Sequence, residues 1–218
     1  MILKGVYAHA DELPPHENLD SDAWVQSQAD KLRSAIVDPS RFAKENAKLQ
    51  SVLSSLSDAK VVDYGGSFAL SYMALGCPRS IKEYHVVETP AICNAAKNLD
   101  ILGLEKVRFH DRSSDIDFHY DVLYSRTALQ YADDWKEELS FLLKGNPLKV
   151  CLAHTSCGDI PTYLTTQNWY GVSIPYWLIN QNELFALMGQ HGYGLTENEE
   201  CEDIEWLFFD ENGVMIFH

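Results

Sequence analysis

The stretch with the most chemistry in it is VVDYGGSFALSYMAL, Val61 to Leu75, followed by an acid at Glu88, 23 residues after Gly65. An apolar strand running into Gly65-Gly66 and then a helix presents backbone N–H groups and a helix N-terminus at the carboxyl edge of a sheet, where open α/β folds bind ligands. A carboxylate at the end of the next strand, the place of Glu88, can accept both ribose hydroxyls of a nucleoside. The order strand, turn, helix, strand, acid therefore predicts a nucleoside cofactor. The competing reading is a tight glycine turn beside a surface glutamate.

Absences narrow the cofactor. Positions 65 to 70 read Gly-Gly-Ser-Phe-Ala-Leu where a dinucleotide fold wants GxGxxG, and neither GxxxxGK[ST] nor GxSxG occurs. S-adenosylmethionine is the remaining common nucleoside ligand of such an architecture. Methyl transfer from a sulfonium is an in-line displacement on an activated donor, so a protein has to position the acceptor and exclude water. An acceptor hydroxyl or amine needs a base near neutral pH. His154, at the expected end of a fifth strand, is the candidate, with a hydrogen-bonded structural histidine as the alternative. His110 and His119 flank Asp111 and Asp115 without a third well-placed ligand, so no metal is expected.

These residues need elements to hold them. Val25, Ala29, Leu32 and Ile36 recur at helical spacing after Asp22, a possible N-cap. Pro39 ends that helix, and Phe42, Leu49, Val52, Leu53 and Leu56 share a face of a second. Residues 1–60 thus read as a helical lead-in. Beyond it, short apolar runs at Val61 to Tyr64, Tyr84 to Glu88, Lys106 to His110, Asp121 to Ser125 and Leu148 to His154 alternate with helical stretches at Phe68 to Leu75, Pro90 to Leu102 and Asp133 to Leu143. That alternation predicts a Rossmann-like α/β domain, a mostly parallel sheet with helices on both faces. Thr155 to Ile179, rich in Thr, Gly, Pro and aromatics, is expected as a long loop insertion such as a lid or binding wall. A helix follows at about Asn182 to Gly189. EWLFF and VMIFH around Asn212-Gly213 then predict a C-terminal antiparallel hairpin, after an acidic run from Glu197 to Glu205 expected as a solvated edge. The whole, 1–218, is expected as one domain.

Seventeen Lys and Arg against 32 Asp and Glu leave a formal charge of −15, which argues against nucleic acid and against acidic membrane surfaces. With 46% hydrophobic residues the chain can bury a core. Its five cysteines form no CxxC pair, which fits a reducing compartment. No signal-like run and no stretch of about 20 apolar residues is present, so a soluble cytoplasmic protein is expected, its oligomeric state open.

The Asp63-x-Gly65-Gly66 turn with Glu88 resembles motif I and its acidic partner in class I S-adenosylmethionine-dependent methyltransferases. More narrowly, VVDYGGSFALSYMAL, HVVETPAI, LYSRTALQYADD and HTSCGDIPTYLTTQNWYGVSIPYWLI resemble a family of bacterial methyltransferases often linked with surface-polysaccharide loci, over Gly5 to about Tyr193. The resemblance implies that Asp63, Gly65, Gly66 and Ser67 approach the methionine part of the cofactor. It implies that Glu88, beside Thr89, holds the ribose, that Asp111 lies near the adenine amine, and that Ser125 lines the floor beside the methyl group. Gln167, Tyr176 and Trp177 are the candidates to touch a small-molecule or glycan-precursor acceptor; read from the residues alone, the aromatics Trp169, Tyr170, Tyr176 and Trp177 either stack on a sugar ring or aromatic acceptor or pack the loop onto the sheet. Ser67 and Ala69 stand where the family usually has Gly, His154 where it has Arg, and Ile174 where it has Tyr. Two rival readings share the fold: a non-catalytic ligand-binding module, and a Rossmann-type oxidoreductase or nucleotide-sugar enzyme.

Overall fold

The computed structural model describes residues 2–17, 19–42, 46–99, 103–169, 172–196, 206–210 and 213–217, with side chains described as far as residue 196. In chain order its elements are β1 (Ile2–Tyr7), α1 (Asp22–Val37), α2 (Ala47–Ser54), β2 (Ala59–Tyr64), α3 (Leu70–Ala74), β3 (Ile81–Val87), α4 (Pro90–Ala96), β4 (Val107–His110), β5 (Val122–Arg126), α5 (Trp135–Leu143), β6 (Lys149–Ala153), β7 (Cys157–Gly158), β8 (Tyr163–Trp169), β9 (Val172–Asn180), α6 (Gln181–Gln190), β10 (Trp206–Asp210) and β11 (Gly213–Phe217). The chain divides into two compact units. One comprises Met1–Leu19, Gln130–Ser140 and His154–His218, the other Asp20–Leu129 and Phe141–Ala153.

The second unit carries a five-stranded sheet in the order β4-β3-β2-β5-β6, with every pair parallel. Parallel strands need crossovers long enough for a helix, and α3 and α4 supply two of them. One sheet face is apolar because Val61, Tyr84, Val86, Val107, Val122 and Tyr124 recur with the period of two that a strand imposes. They pack with Leu49, Leu53 and Tyr72. α1 starts at a cap one residue before the expected Asp22: Ser21 Oγ accepts from the Trp24 amide at 3.2 Å. Its buried stripe is Gln28, Leu32 and Ala35, while Ile36, expected inside, is 45% exposed. Leu32 packs with Phe68, Ile92 and Ala96.

The first unit carries a mixed six-stranded sheet in the order β11-β10-β1-β8-β9-β7. Two expectations fail here. The lead-in is not wholly helical, since β1 pairs antiparallel with β8 and parallel with β10. The segment Thr155 to Ile179 is not a loop, since β8 and β9 form an antiparallel pair from Tyr163↔Leu178 to Trp169↔Val172. Its threonines are strand formers rather than loop residues. Thr165 and Thr166 are buried, and both hydroxyls donate to the Lys4 carbonyl at 3.1 Å. Pro175 stands opposite Thr166 of β8, and on the other side of β9 the pairing with β7 lies at Ile179 and Asn180, away from the proline. The C-terminal hairpin is present as β10 and β11, in register from Trp206↔Phe217 to Asp210↔Gly213. The acidic run Glu197 to Glu205 and Tyr170 lie outside the described residues.

Candidate functional site

Register brings the expected cofactor residues to one edge. Tyr64 pairs with Val87 and with Ser125, and Val87 pairs with His110. Gly65, Glu88 and Asp111 therefore leave their strands at one level, with Ser125 beside them. The four strands stand about 4.8 Å apart, so their ends span roughly 14 Å along the carboxyl edge. The edge includes the β2/β5 boundary, where strand order reverses and open α/β sheets bind ligands.

Glu88 is held at both oxygens. Its Oε1 accepts the Ser67 amide at 3.1 Å and its Oε2 the Thr89 amide at 2.7 Å. A carboxylate has about four lone-pair sites, so two remain for further donors. Burial raises its pKa while these amides pull it back. Thr89 caps α4 by accepting from the Ile92 amide at 3.5 Å, with Pro90 following.

Asp63 points beneath the turn. It is 1% exposed, and its Oδ2 accepts the Tyr84 hydroxyl at 2.5 Å. Burial is the largest influence and pushes its pKa up from 3.8 to about 7, with the Tyr84 hydrogen bond opposing. A Cβ on Gly66 would overlap this carboxyl group, and one on Gly65 would overlap the Ala128 Cβ. Gly65 is also left-handed at φ +74°. Ser67 and Ala69, where the family resemblance sets glycine, keep left-handed backbone at φ +53° and +58°. The turn thus retains glycine geometry with L residues, at a cost of about 1–2 kcal/mol each. Ser125 is 2% exposed, and its Oγ is buried without a partner. Asp111 is half exposed beside Arg112.

Sequence reasoning misses two residues of this site. Tyr84 reaches Asp63 because it lies one pleat earlier on the same face of the neighbouring strand, a relation invisible until the strands are in register. Gln28 on α1 is 3% exposed, and its Oε1 accepts the Ser67 hydroxyl at 3.1 Å. A glutamine inside an apolar helical stripe is the signal available for it. His110 pairs with His85 at 2.9 Å, and burial lowers both pKa values. Among the described residues no group of three or more His, Cys, Asp or Glu is placed to hold a metal.

The expected acceptor residues lie in the first unit and are tied into its fold. Gln167 is fully buried, its Oε1 accepting the Tyr131 hydroxyl at 2.7 Å and its Nε2 without a partner. Tyr176 is fully buried, its hydroxyl 2.5 Å from Ser156 Oγ. Trp177 Nε1 donates to the Ala132 carbonyl at 2.9 Å. His154 is exposed and left-handed at φ +51°, and its carbonyl accepts from Gln130 Nε2 at 3.4 Å. Among the described residues no helix is long and apolar enough to cross a membrane.

No protein-family model matches the chain, and no curated protein sequence matches it. Solved structures do. A chain in the complex of the Haloferax volcanii Trm112 methyltransferase activator with a methyltransferase superposes at TM-score 0.55 and 17% identity, over 85% of this chain and 81% of that one. The Burkholderia thailandensis 1,6-didemethyltoxoflavin-N1-methyltransferase, solved with S-adenosylhomocysteine, superposes at 0.46 and 17% identity, over 86% and 84%. The sheet order and the first superposition together show the Rossmann-like fold of methyltransferases.

Proposed function

We propose that the chain is an S-adenosylmethionine-dependent methyltransferase acting on a small molecule or glycan precursor. The observation that carries this is the carboxyl edge of the parallel sheet, where the Gly65-Gly66 turn, Glu88, Asp111 and Ser125 stand level on four adjacent strands. The methyltransferase fold supports it. The residues fit the cofactor: Glu88 retains two lone pairs for the ribose hydroxyls, and the unpartnered Ser125 Oγ offers a polar floor. The sulfonium supplies an activated methyl group. Thr89 caps the helix beside Glu88, and Asp111 is assigned to the adenine amine.

On the acceptor side, the unpartnered Gln167 Nε2 donates to a polar acceptor group, with Tyr176 on the same face of the β8–β9 pair, whereas Trp177, the next residue along β9, points to the opposite face. His154 takes the proton of the attacking hydroxyl or amine. It is exposed to solvent, which suits a base that must exchange its proton each turnover. The glycan-precursor class draws on the likeness of the 154–179 segment to methyltransferases of surface-polysaccharide loci. Thermal melting with S-adenosylmethionine, S-adenosylhomocysteine, NAD and a nucleotide sugar tests the reading. A ligand that binds only the native state raises the midpoint by mass action. The first two ligands are expected to raise it; a rise with NAD or the nucleotide sugar alone would assign the fold to other chemistry.

A further inference from the structure

The charge of the chain is concentrated in one of its two units. The unit made of Met1–Leu19, Gln130–Ser140 and His154–His218 holds 17 Asp and Glu against two cations, Lys4 and Lys136, and so carries the whole formal charge of −15; the other holds 15 of each sign. A field of that sign keeps anions away. Neither cation serves the face of the sheet that carries Gln167. Leu3 is the residue of β1 opposite Gln167, so Lys4, next in the strand, points to the other face. Lys136 is bonded to Glu183 at 2.6 Å. The buried polar side chains described in this unit are Gln130, Ser156, Thr165, Thr166 and Gln167, all uncharged. Two of them are amides used at one end. Gln167 Oε1 accepts the Tyr131 hydroxyl at 2.7 Å, and its Nε2 is buried with no partner. Gln130 Nε2 faces the His154 carbonyl at 3.4 Å, which can only accept, so Oε1 is its free end, buried with no partner. Thr155, next after His154, has a third such atom in Oγ1. The two amides flank one aromatic pair: Tyr131 meets the Tyr176 ring edge-on at 5.1 Å, and Gln130 hydrogen-bonds the Tyr176 hydroxyl. Each unpaired buried group costs about 1–3 kcal/mol, and native structures keep them chiefly where a ligand or water completes them.

Gln167 Nε2 lacks an acceptor and Gln130 Oε1 lacks a donor. Phosphate and ionised carboxylate only accept, and an ammonium only donates, whereas one hydroxyl does both. We infer that the methyl acceptor is an uncharged molecule bearing several hydroxyls, held through them by Gln167 Nε2 and Gln130 Oε1, and not a phosphorylated or nucleotide-linked one. This rests on the methyltransferase reading above and narrows its acceptor. One hydroxyl is held and another reacts. His154, exposed where the segment leading to Thr155 and Ser156 begins, takes the proton of the reacting hydroxyl. That oxygen forms the new bond to the methyl carbon as the carbon–sulfur bond breaks, and S-adenosylhomocysteine leaves with the electron pair.

The test offers the full chain, with S-adenosylmethionine, matched sets of acceptors: free monosaccharides and methyl glycosides, the same sugars as phosphates and as uridine diphosphate conjugates, and the corresponding uronic acids. Release of S-adenosylhomocysteine is followed. Uncharged members are expected to turn over with kcat/KM about 10-fold or more above any charged counterpart, the worth of one buried group left unpaired. Their kcat/KM is expected to stay within about two-fold between about 0.05 and 0.5 M salt, because a neutral molecule feels no steering. A charged member that matches its parent overturns the inference, as does S-adenosylhomocysteine binding without turnover of any uncharged member. Gln167→Met and Gln130→Met are expected to raise KM for the best acceptor about 10-fold or more, with S-adenosylhomocysteine affinity by calorimetry within about two-fold. An unchanged KM in both would make the amides parts of the fold alone and overturn the assignment. Unliganded melting checks each variant, and if neither folds the acceptor series on the parent decides. A parent that does not bind S-adenosylhomocysteine fails the methyltransferase reading first, and this inference falls with it.

Discussion

Asp63→Asn tests whether the carboxyl group beneath the glycine turn is a cost to the fold. In the native protein burial raises its pKa from 3.8 to about 7. Below pH 4 the group is protonated in both folded and unfolded chains and makes no difference. Between pH 4 and 7 the unfolded chain loses the proton while the folded one keeps it, so stability falls as pH rises, and above 7 the loss levels off. A displacement of this size corresponds to about 4 kcal/mol at most. The asparagine side chain stays neutral and keeps an acceptor oxygen for the Tyr84 hydroxyl, so the penalty is absent from Asp63→Asn. Urea unfolding of parent and variant at pH 4.5, 5.5, 6.5 and 7.5 isolates the effect, because every other titrating group is shared. The variant is expected to gain on the parent steadily across that range. A difference independent of pH, or a parent that gains as pH rises, would mean that Asp63 is held as an anion and that burial does not dominate it.

Three further outcomes are expected. Glu88→Gln weakens S-adenosylhomocysteine binding by about 1–3 kcal/mol by calorimetry. It also lowers unliganded stability, because its NH2 group must face the Ser67 or the Thr89 amide, both donors. Gly65→Ala meets both a left-handed backbone and the Ala128 Cβ; denaturant melts should show a loss of roughly 2–4 kcal/mol. His154→Ala leaves S-adenosylhomocysteine affinity within about two-fold but lowers turnover about 100-fold or more, the usual worth of a positioned base; release of S-adenosylhomocysteine against a panel of hydroxyl and amine acceptors measures it, and unchanged turnover would make the histidine structural.

The parallel unit is legible in the sequence because its signals are local. Each strand is a short run, three of the four crossovers carry a helical stretch, and the glycine turn and Glu88 are separated by one helix and one strand. The other unit is not, because its strands pair over long separations: Leu3 lies opposite Gln167. In β1 only Leu3 is buried among the residues with described side chains, too little for an alternation to be seen. In β8 the buried Thr165, Thr166 and Gln167 reverse the hydropathy that marks an inward face, so a central strand reads as a loop. The site divides the same way. Asp63, Gly65, Gly66 and Glu88 announce themselves by type and spacing. Tyr84 and Gln28 reach the turn only through strand register and helix packing, which spacing along the chain does not encode.

Calorimetric titration of the full chain with S-adenosylhomocysteine, followed by NAD on a fresh sample, bears most directly on the central claim. The site predicts micromolar S-adenosylhomocysteine binding, on the order of −8 kcal/mol, with NAD silent, since Gly-Gly-Ser-Phe-Ala-Leu lacks the glycine spacing a pyrophosphate needs. NAD binding with S-adenosylhomocysteine silent would contradict the account and hand Glu88 to a dinucleotide.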